Sequence, residues 1–287
     1  MLSSQGDNLI FRIREAIRDT YGDAGEALAV AREVAEVSFG ISYVQAFAGT
    51  ARPLSGEEET RLSLMVERLC QGWPVQYVTG RAEFMGRWFA VSPAVLVPRP
   101  ETENVVRAAV ESVAGVTAPR IVDVGTGSGC IAVSVKLALP EAQVTGVDIS
   151  GEALAVARNN AVSLGADVTM AWGDVSCPDT LPTGPLDLVV SNPPYVRQSE
   201  STAMTVQVRE YEPPLALFVP DDDALKFYRA LADYGRKTLV QGGALVMEIN
   251  SALGAETAAL FECRGYGEVE MLKDMYGKDR IVRCRRV

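Results

Sequence analysis

Val122-Asp123-Val124-Gly125-Thr126-Gly127-Ser128-Gly129 carries an apolar strand directly into a turn with glycine at every second position. Glycine lets the backbone bend sharply and approach a ligand with no Cβ in the way, and a helix that begins after such a turn offers N–H groups at its N-terminus. The pattern reads as a nucleotide-cofactor turn, although a plain strand-to-helix turn also uses glycine. The Gly-x-Gly-x-Gly spacing departs from the Gly-x-Gly-x-x-Gly of dinucleotide-binding folds: Gly129 comes one residue early and Cys130 occupies the last glycine position. The spacing therefore points away from a nicotinamide cofactor.

Working outward, β-like runs alternate with helical stretches. PRIVDV is followed by a helix expected over 128–139, QVTGVDI by one over 151–164, then DVTMAW and LDLVVS, a helix over 222–239, GALVMEI, a helix over 253–262, and strands near 266–272 and 279–285. Such alternation predicts a parallel sheet covered by helices on both faces. The last two strand candidates are joined by a short MYGKD turn, so one of them is expected to run antiparallel. Upstream, residues 8–70 place apolar side chains at three- and four-residue intervals (Leu9, Ile13, Ile17; Leu62, Met65, Leu69) between breakers at Gly22, Gly40, Gly49 and Pro53, which predicts a small helical unit. From Gly72 aromatic and β-branched residues alternate between Gly and Pro, as in a hairpin or extended connector. The expected organisation is a helical domain at 1–71, a β-hairpin connector at 72–100 and an α/β domain at 101–287.

Composition narrows the chemistry. The 287 residues include no histidine, 27 Lys+Arg against 37 Asp+Glu, and a formal net charge of −10. Without histidine, Ser-His-Asp and Cys-His catalysis and imidazole-bearing metal sites are excluded. The acidic balance argues against a nucleic-acid partner, because phosphate binding depends on Lys and Arg displacing counterions. Ten basic and twelve acidic residues up to Arg99 leave no basic arm in the helical part. Five cysteines (Cys70, Cys130, Cys177, Cys263, Cys284), no two closer than 21 residues, give no zinc or disulfide framework and fit a reducing cytosol. The first residues resemble neither a signal peptide nor a membrane span, and a cytoplasmic protein is expected.

Three further positions carry chemistry. Asp148 ends a strand about 20 residues past the glycine turn, where a carboxylate can accept two hydrogen bonds from a ribose diol; Asp148 or Ser150 could equally cap the next helix. Asp174 follows the third strand and could accept from an adenine amine beside the apolar edge of Val175, or simply form a turn. In Leu186-Asp187-Leu188-Val189-Val190-Ser191-Asn192-Pro193-Pro194-Tyr195, an apolar strand delivers Asn192 beside the glycine turn. Pro193 and Pro194 fix the backbone so that the Asn192 side-chain oxygen and the Pro193 carbonyl can aim at one point. These are two acceptors without a charged base, suited to an sp² –NH2 group whose nitrogen must attack an electrophile, with Tyr195 offering a flat face.

In these residues the chain resembles the class I S-adenosylmethionine-dependent methyltransferases and, more narrowly, the HemK/PrmC family of peptide chain release factor glutamine N(5)-methyltransferases. The resemblance runs through Gly72-Trp73-Pro74-Val75-Gln76-Tyr77-Val78-Thr79-Gly80, Glu83-Phe84 to Phe89, Val97-Pro98-Arg99-Pro100-Glu101-Thr102-Glu103, the glycine turn, Asn192-Pro193-Pro194-Tyr195 and Tyr211-Glu212-Pro213 to Leu217. Asn-Pro-Pro-Tyr alone is shared with methyltransferases acting on nucleic-acid amino groups; the connector and Pro-Arg-Pro-Glu-Thr-Glu are more specific.

The resemblance implies a Rossmann-like seven-stranded sheet, its last strand antiparallel, with an N-terminal helical bundle that recognises the protein substrate. It implies S-adenosylmethionine as cofactor without a metal, with Gly125, Thr126, Gly127, Ser128 and Gly129 at the methionine moiety, Asp148 at the ribose, and Asp174 and Val175 at the adenine. Some members carry an aromatic where Val175 stands. Asn192 with Pro193 would hold the substrate amide, bordered by Pro194 and Tyr195. The implied substrate is the glutamine of the Gly-Gly-Gln motif of class 1 release factors, modified by a monomer that needs neither nucleic acid nor membrane. The amide nitrogen would attack the sulfonium methyl in line, giving N(5)-methylglutamine and S-adenosylhomocysteine. The competing readings are an amino-group methyltransferase acting on nucleic-acid bases, which would need a basic groove, and a cofactor-binding module without catalysis.

Overall fold

The computed structural model describes residues 8–274 and 277–287. The opening residues 1–7, and Met275 and Tyr276 of the MYGKD turn, lie outside the described residues. The chain divides into two compact units, Met1–Arg81 with Thr205–Tyr211, and Ala82–Met204 with Glu212–Val287.

The first unit is helical: α1 (Leu9–Ile17), α2 (Ala24–Phe39), α3 (Tyr43–Ala48), α4 (Gly56–Cys70) and α5 (Val75–Thr79). Its starts are written in side chains that satisfy the otherwise orphaned first N–H groups. Asn8 and Asp23 cap α1 and α2, and Ser42 with Gln45 and Ser55 with Glu58 form reciprocal capping boxes on α3 and α4. Leu9, Ile13 and Ile17 of α1 meet Leu62, Met65 and Leu69 of α4 in one core. The helix α5 lies inside the stretch where an extended connector is expected from Gly72. Pro74 precedes its first residue and Gly80 ends it in the left-handed region, so these breakers bracket one helical turn. Thr205–Tyr211 joins this unit through Tyr211, whose ring lies 4.8 Å from that of Trp73 and whose hydroxyl donates to the Gln71 carbonyl at 2.5 Å.

The second unit opens with the hairpin β1 (Arg81–Phe84) and β2 (Arg87–Ala90) and then follows the predicted alternation: α6 (Glu103–Ser112), β3 (Arg120–Val124), α7 (Cys130–Ala138), β4 (Gln143–Asp148), α8 (Gly151–Ser163), β5 (Val168–Trp172) and β6 (Leu186–Ser191). After the two-residue β7 (Val196–Arg197) and α9 (Val206–Tyr211), which belongs to the first unit, come α10 (Pro214–Leu217), β8 (Phe218–Val219), α11 (Lys226–Thr238), β9 (Leu239–Glu248), α12 (Gly254–Cys263), β10 (Tyr266–Lys273) and β11 (Asp279–Arg286). Seven strands form one sheet in the order β10-β11-β9-β6-β3-β4-β5. β3, β4, β5, β6 and β9 pair in parallel, and β11 is antiparallel to both its neighbours, which locates the expected reversal. Core clusters containing Ile121, Leu188 and Val246 on one side and Val122, Val189 and Leu245 on the other give these strands their nearly unbroken apolar runs.

Two boundaries differ from the expected ones. Helix α11 starts at Lys226 because Asp221–Asp223 form a separate 3-10 turn. Strand β9 starts at Leu239, which already pairs with Leu186 before an irregularity at Gly242, whose φ of 77° lies in the left-handed region.

Burial leaves a mark on stability. Half-buried Glu33 on α2 and fully buried Asp123 on β3 are both pushed up to about 7 by loss of solvation. A carboxyl raised in the folded state contributes stability that is complete below its unfolded value of about 4 and is lost as pH rises through the folded one. The wild-type protein is expected to melt at a higher temperature at pH 6 than at pH 8, and Glu33→Gln to narrow that difference. A melting temperature that does not fall between pH 6 and pH 8 contradicts this.

Candidate functional site

The carboxyl ends of β3, β4 and β6 open onto one cavity of about 460 Å³, within the range typical of small-molecule sites. Gly125, Thr126, Gly127 and Ser128, Asp148, Asp174 and Val175, and Asn192, Pro193 and Pro194 all line it. Gly129 and Tyr195 are not among the lining residues.

The glycine turn is held from beneath by a carboxylate that the sequence reading passed over. Asp123 accepts from the Thr126 hydroxyl at 2.6 Å and from the Ala132 N–H, in the first turn of α7, at 3.2 Å. One of its oxygens, Oδ1, has no hydrogen-bond partner among the described residues. Burial raises its pKa, the two donors oppose this, and the neighbouring charge of Asp148 adds to the rise. The N–H groups of Gly125 and Thr126 both donate to the Val147 carbonyl at the end of β4, at 2.8 and 2.9 Å. From the other side Asn160 of α8 donates to the carbonyls of Ser128 and Ala90 at 2.8 and 2.9 Å, so a buried amide fixes the turn to β2. Asp123 stands out only as a polar residue within an apolar run, a signal shared by many structural positions, and Asn160, beside Arg158 and Asn159, carries no such signal.

Gly125 and Gly127 have φ of 74° and 55°, and a Cβ on either would meet no atom within 4 Å among the described residues beyond its chain neighbours. Their side of the turn is open for a ligand. Gly129 is different: with φ of 80° it caps α7, and a Cβ there would lie 3.1 Å from the Ala157 Cβ and 3.3 Å from its Cα. Close packing of turn against α8 demands this third glycine.

Ser150 takes the cap of α8, accepting from the Ala153 N–H at 3.2 Å. Asp148 is left facing the cavity, its Oδ1 accepting from Ser150 N–H and its Oδ2 from Gly127 N–H, both at 2.9 Å. Each oxygen keeps a lone pair for a ligand hydroxyl. Burial raises the Asp148 pKa against these backbone N–H groups. Asp174 accepts from Ser176 N–H through Oδ1 at 2.7 Å, so it forms the anticipated turn and also lines the cavity. The open glycines, a carboxylate with spare lone pairs and a mainly aliphatic wall at Val124, Ile131 and Val175 suit an adenosyl group with an attached amino acid.

Asn192 follows β6 directly. The Ser191 hydroxyl donates to the Val124 carbonyl at 2.7 Å, tying the ends of β6 and β3 together. Asn192 Nδ2 donates to Thr102 Oγ1 at 3.1 Å, while its Oδ1 and the Pro193 carbonyl receive no hydrogen bond among the described residues. Tyr195 turns its hydroxyl to Glu248 Oε1 at 2.9 Å and packs against the core, so its ring does not take the cavity position expected of it. Burial and the Glu248 charge push its phenol well up, and it remains a donor. Another wall is held by Glu212, 1% exposed in its side chain, which accepts from Arg99 Nη2 at 2.5 Å and from Val97 N–H at 3.2 Å.

Comparison with known proteins places this geometry. The Methyltransferase small domain family matches residues 106–209, and the PrmC N-terminal domain family matches residues 13–80. A release factor glutamine methyltransferase of Bacteroides thetaiotaomicron is 42% identical over 274 residues, covering 96% of this chain and 98% of that one. The release factor glutamine methyltransferase of Bordetella pertussis is 38% identical over 266 residues, covering 92% and 97%. This chain belongs to the release factor glutamine methyltransferase family. A methyltransferase from Pyrococcus furiosus, 15% identical with a TM-score of 0.52 over 81% of this chain and 99% of its own, shares the fold. Among the described residues no helix is long and apolar enough to cross a membrane, and no group of three or more His, Cys, Asp or Glu is placed to hold a metal ion.

The account of Gly129 predicts that Gly129→Ala lowers stability by about 1–3 kcal/mol, the cost of holding a side chain in the left-handed region against a packed helix. Denaturant unfolding measures it, and a variant as stable as wild type contradicts the packing argument.

Proposed function

We propose that the protein transfers a methyl group from S-adenosylmethionine to the side-chain amide nitrogen of the glutamine in the Gly-Gly-Gln motif of peptide chain release factors, and so tunes translation termination. The observation that carries the reading is the pair of acceptors, Asn192 Oδ1 and the Pro193 carbonyl, left without donors among the described residues at the wall of the cavity. Full-length relatives named for this activity support it.

Bound S-adenosylmethionine supplies a methyl group on a sulfonium centre. The protein's own residues do the rest. Gly125 and Gly127, with Thr126 and Ser128 between and after them, give the methionine moiety a backbone surface that lacks a Cβ at two positions, Asp148 accepts from the ribose, and Asp174 with Val175 borders the adenine. Asn192 Oδ1 and the Pro193 carbonyl accept the two N–H groups of the glutamine amide and fix its nitrogen toward the methyl; as the N–C bond forms and the S–C bond breaks, the nitrogen gives up one of these two protons, which leaves to solvent. An amide nitrogen is a weak nucleophile because its lone pair is delocalised. Hydrogen bonds to neutral acceptors strengthen as positive charge develops on that nitrogen, which favours the transition state over the bound substrate. The chemistry asks for no imidazole, in keeping with a chain that has none. The helical unit, including residues 1–71, is assigned recognition of the release factor. The free state of all five cysteines is in keeping with a cytoplasmic site of action.

The test is methyl transfer from labelled S-adenosylmethionine to a purified release factor, beside a copy with its Gly-Gly-Gln glutamine changed to alanine and a duplex DNA. Label is expected on the intact factor alone. Asn192→Ala is expected to keep cofactor binding and lose about 100-fold or more in transfer, the scale of one transition-state hydrogen-bonding group. Label on DNA, or full turnover by Asn192→Ala, overturns the reading.

A further inference from the structure

A chain of hydrogen bonds runs from the cavity into the protein behind it. Asn192 Nδ2 donates to Thr102 Oγ1 at 3.1 Å, the Thr102 hydroxyl donates to Glu248 Oε2 at 2.6 Å, and the Tyr195 hydroxyl donates to Glu248 Oε1 at 2.9 Å. Thr102 and Glu248 are 2% and 1% exposed. Glu248 does not line the cavity. The topology makes the meeting unavoidable: Ser191 of β6 is paired with Met247 of β9, so the next residue of each strand, Asn192 and Glu248, emerges at the same edge.

The polarity of this chain is set at its buried end. A threonine hydroxyl has one proton. Burial raises the Glu248 pKa, while the bonds it accepts from Thr102 and Tyr195 and the charge of Arg280 oppose the rise; with both of its oxygens facing hydroxyls, Glu248 accepts the Thr102 proton at Oε2. Only lone pairs then face Asn192, and the amide must turn its –NH2 toward Thr102. Its Oδ1 is left for the cavity. Turned over, the amide would set its oxygen against the Thr102 lone pairs and show the cavity a donor, which repels a substrate –NH2 group. Tyr195 occupies the second carboxylate oxygen and so holds Glu248 in place.

We propose that Thr102 and Glu248 are positioning residues that fix the amide polarity of Asn192, keeping an acceptor rather than a donor at the point where the substrate nitrogen is held. The proposal rests on the reading of Asn192 as the substrate acceptor. It also gives Tyr195 a place in the site through Glu248 without contact with the substrate.

Thr102→Val removes the hydroxyl and keeps the shape. Misorienting a catalytic group costs about 100-fold, so turnover on a purified release factor is expected to fall by that much. The S-adenosylmethionine Kd, measured by calorimetry, is expected to stay within about threefold, because the cofactor is assigned to the glycine turn, Asp148, Asp174 and Val175 rather than to the Asn192 amide. Thr102→Ser, which restores the hydroxyl, is expected to recover most of the turnover. In single-turnover assays, Thr102→Val added to Asn192→Ala is expected to cost almost nothing more, since both changes remove the same acceptor. If Thr102→Val does not fold, Thr102→Ala is read by the same measurements. The proposal is overturned if the hydroxyl-free variant turns over as wild type does, or if its loss multiplies in full with that of Asn192→Ala. Full turnover by Asn192→Ala itself would instead remove the acceptor reading on which the proposal stands.

Discussion

Strand β6 pairs in parallel with β3 on one side and with β9 on the other, and the site depends on that double pairing. Parallel neighbours end on the same side of a sheet, so the glycine turn after β3, Asp148 at the end of β4, Asn192 after β6 and Glu248 at the end of β9 arrive at one edge without any long loop having to bring them there. The unbroken apolar sequence Leu188-Val189-Val190 is what allows β6 to sit between helices on both faces. A polar residue in that run would cost the burial that sets the register, and with it the position of Asn192.

Two buried carboxylates underlie the two halves of the cavity. Asp123 braces the glycine turn by accepting from Thr126 and Ala132, and Glu248 stands behind Asn192, accepting from Thr102 and Tyr195. Burial raises the pKa of each, and the hydrogen bonds each accepts act in the opposite direction. Such groups are expensive to bury unless their oxygens are matched by donors. Both Glu248 oxygens and one Asp123 oxygen have such donors, and these are residues that shape the site, so the cost of burial is tied to correct geometry at the cavity wall.

The sheet was largely legible in the sequence, because a buried parallel strand must be apolar on both faces and each of the seven predicted runs, from PRIVDV to the strand at 279–285, is a member of it. The cavity was legible in part: the glycine turn, Asp148, Asp174 and Asn192 stand at or just past strand ends, where the local pattern and the cavity wall coincide. Asp123, Asn160, Glu212 and Glu248 were not, since their importance lies in partners far along the chain. Glu248 meets Thr102 across 146 residues, and Glu212 meets Arg99 across 113. Nothing in their own neighbourhoods marks those partners. Tyr195 shows the converse, a residue whose place in a recognisable tetrapeptide suggested contact with substrate while its hydroxyl is committed to the carboxylate behind it. The helix at Val75–Thr79 was hidden by the flanking Pro74 and Gly80, which read as connector punctuation when only five residues separate them.

The central claim is that two uncharged acceptors of fixed polarity hold a substrate amide nitrogen at the end of β6. A crystal structure of the protein with S-adenosylhomocysteine and a peptide containing Gly-Gly-Gln tests it most directly. The account predicts the glutamine Nε2 at about 3 Å from both Asn192 Oδ1 and the Pro193 carbonyl, with Asn192 Nδ2 still on Thr102. A glutamine side chain bound elsewhere, or an Asn192 that turns its –NH2 toward the substrate, would contradict it.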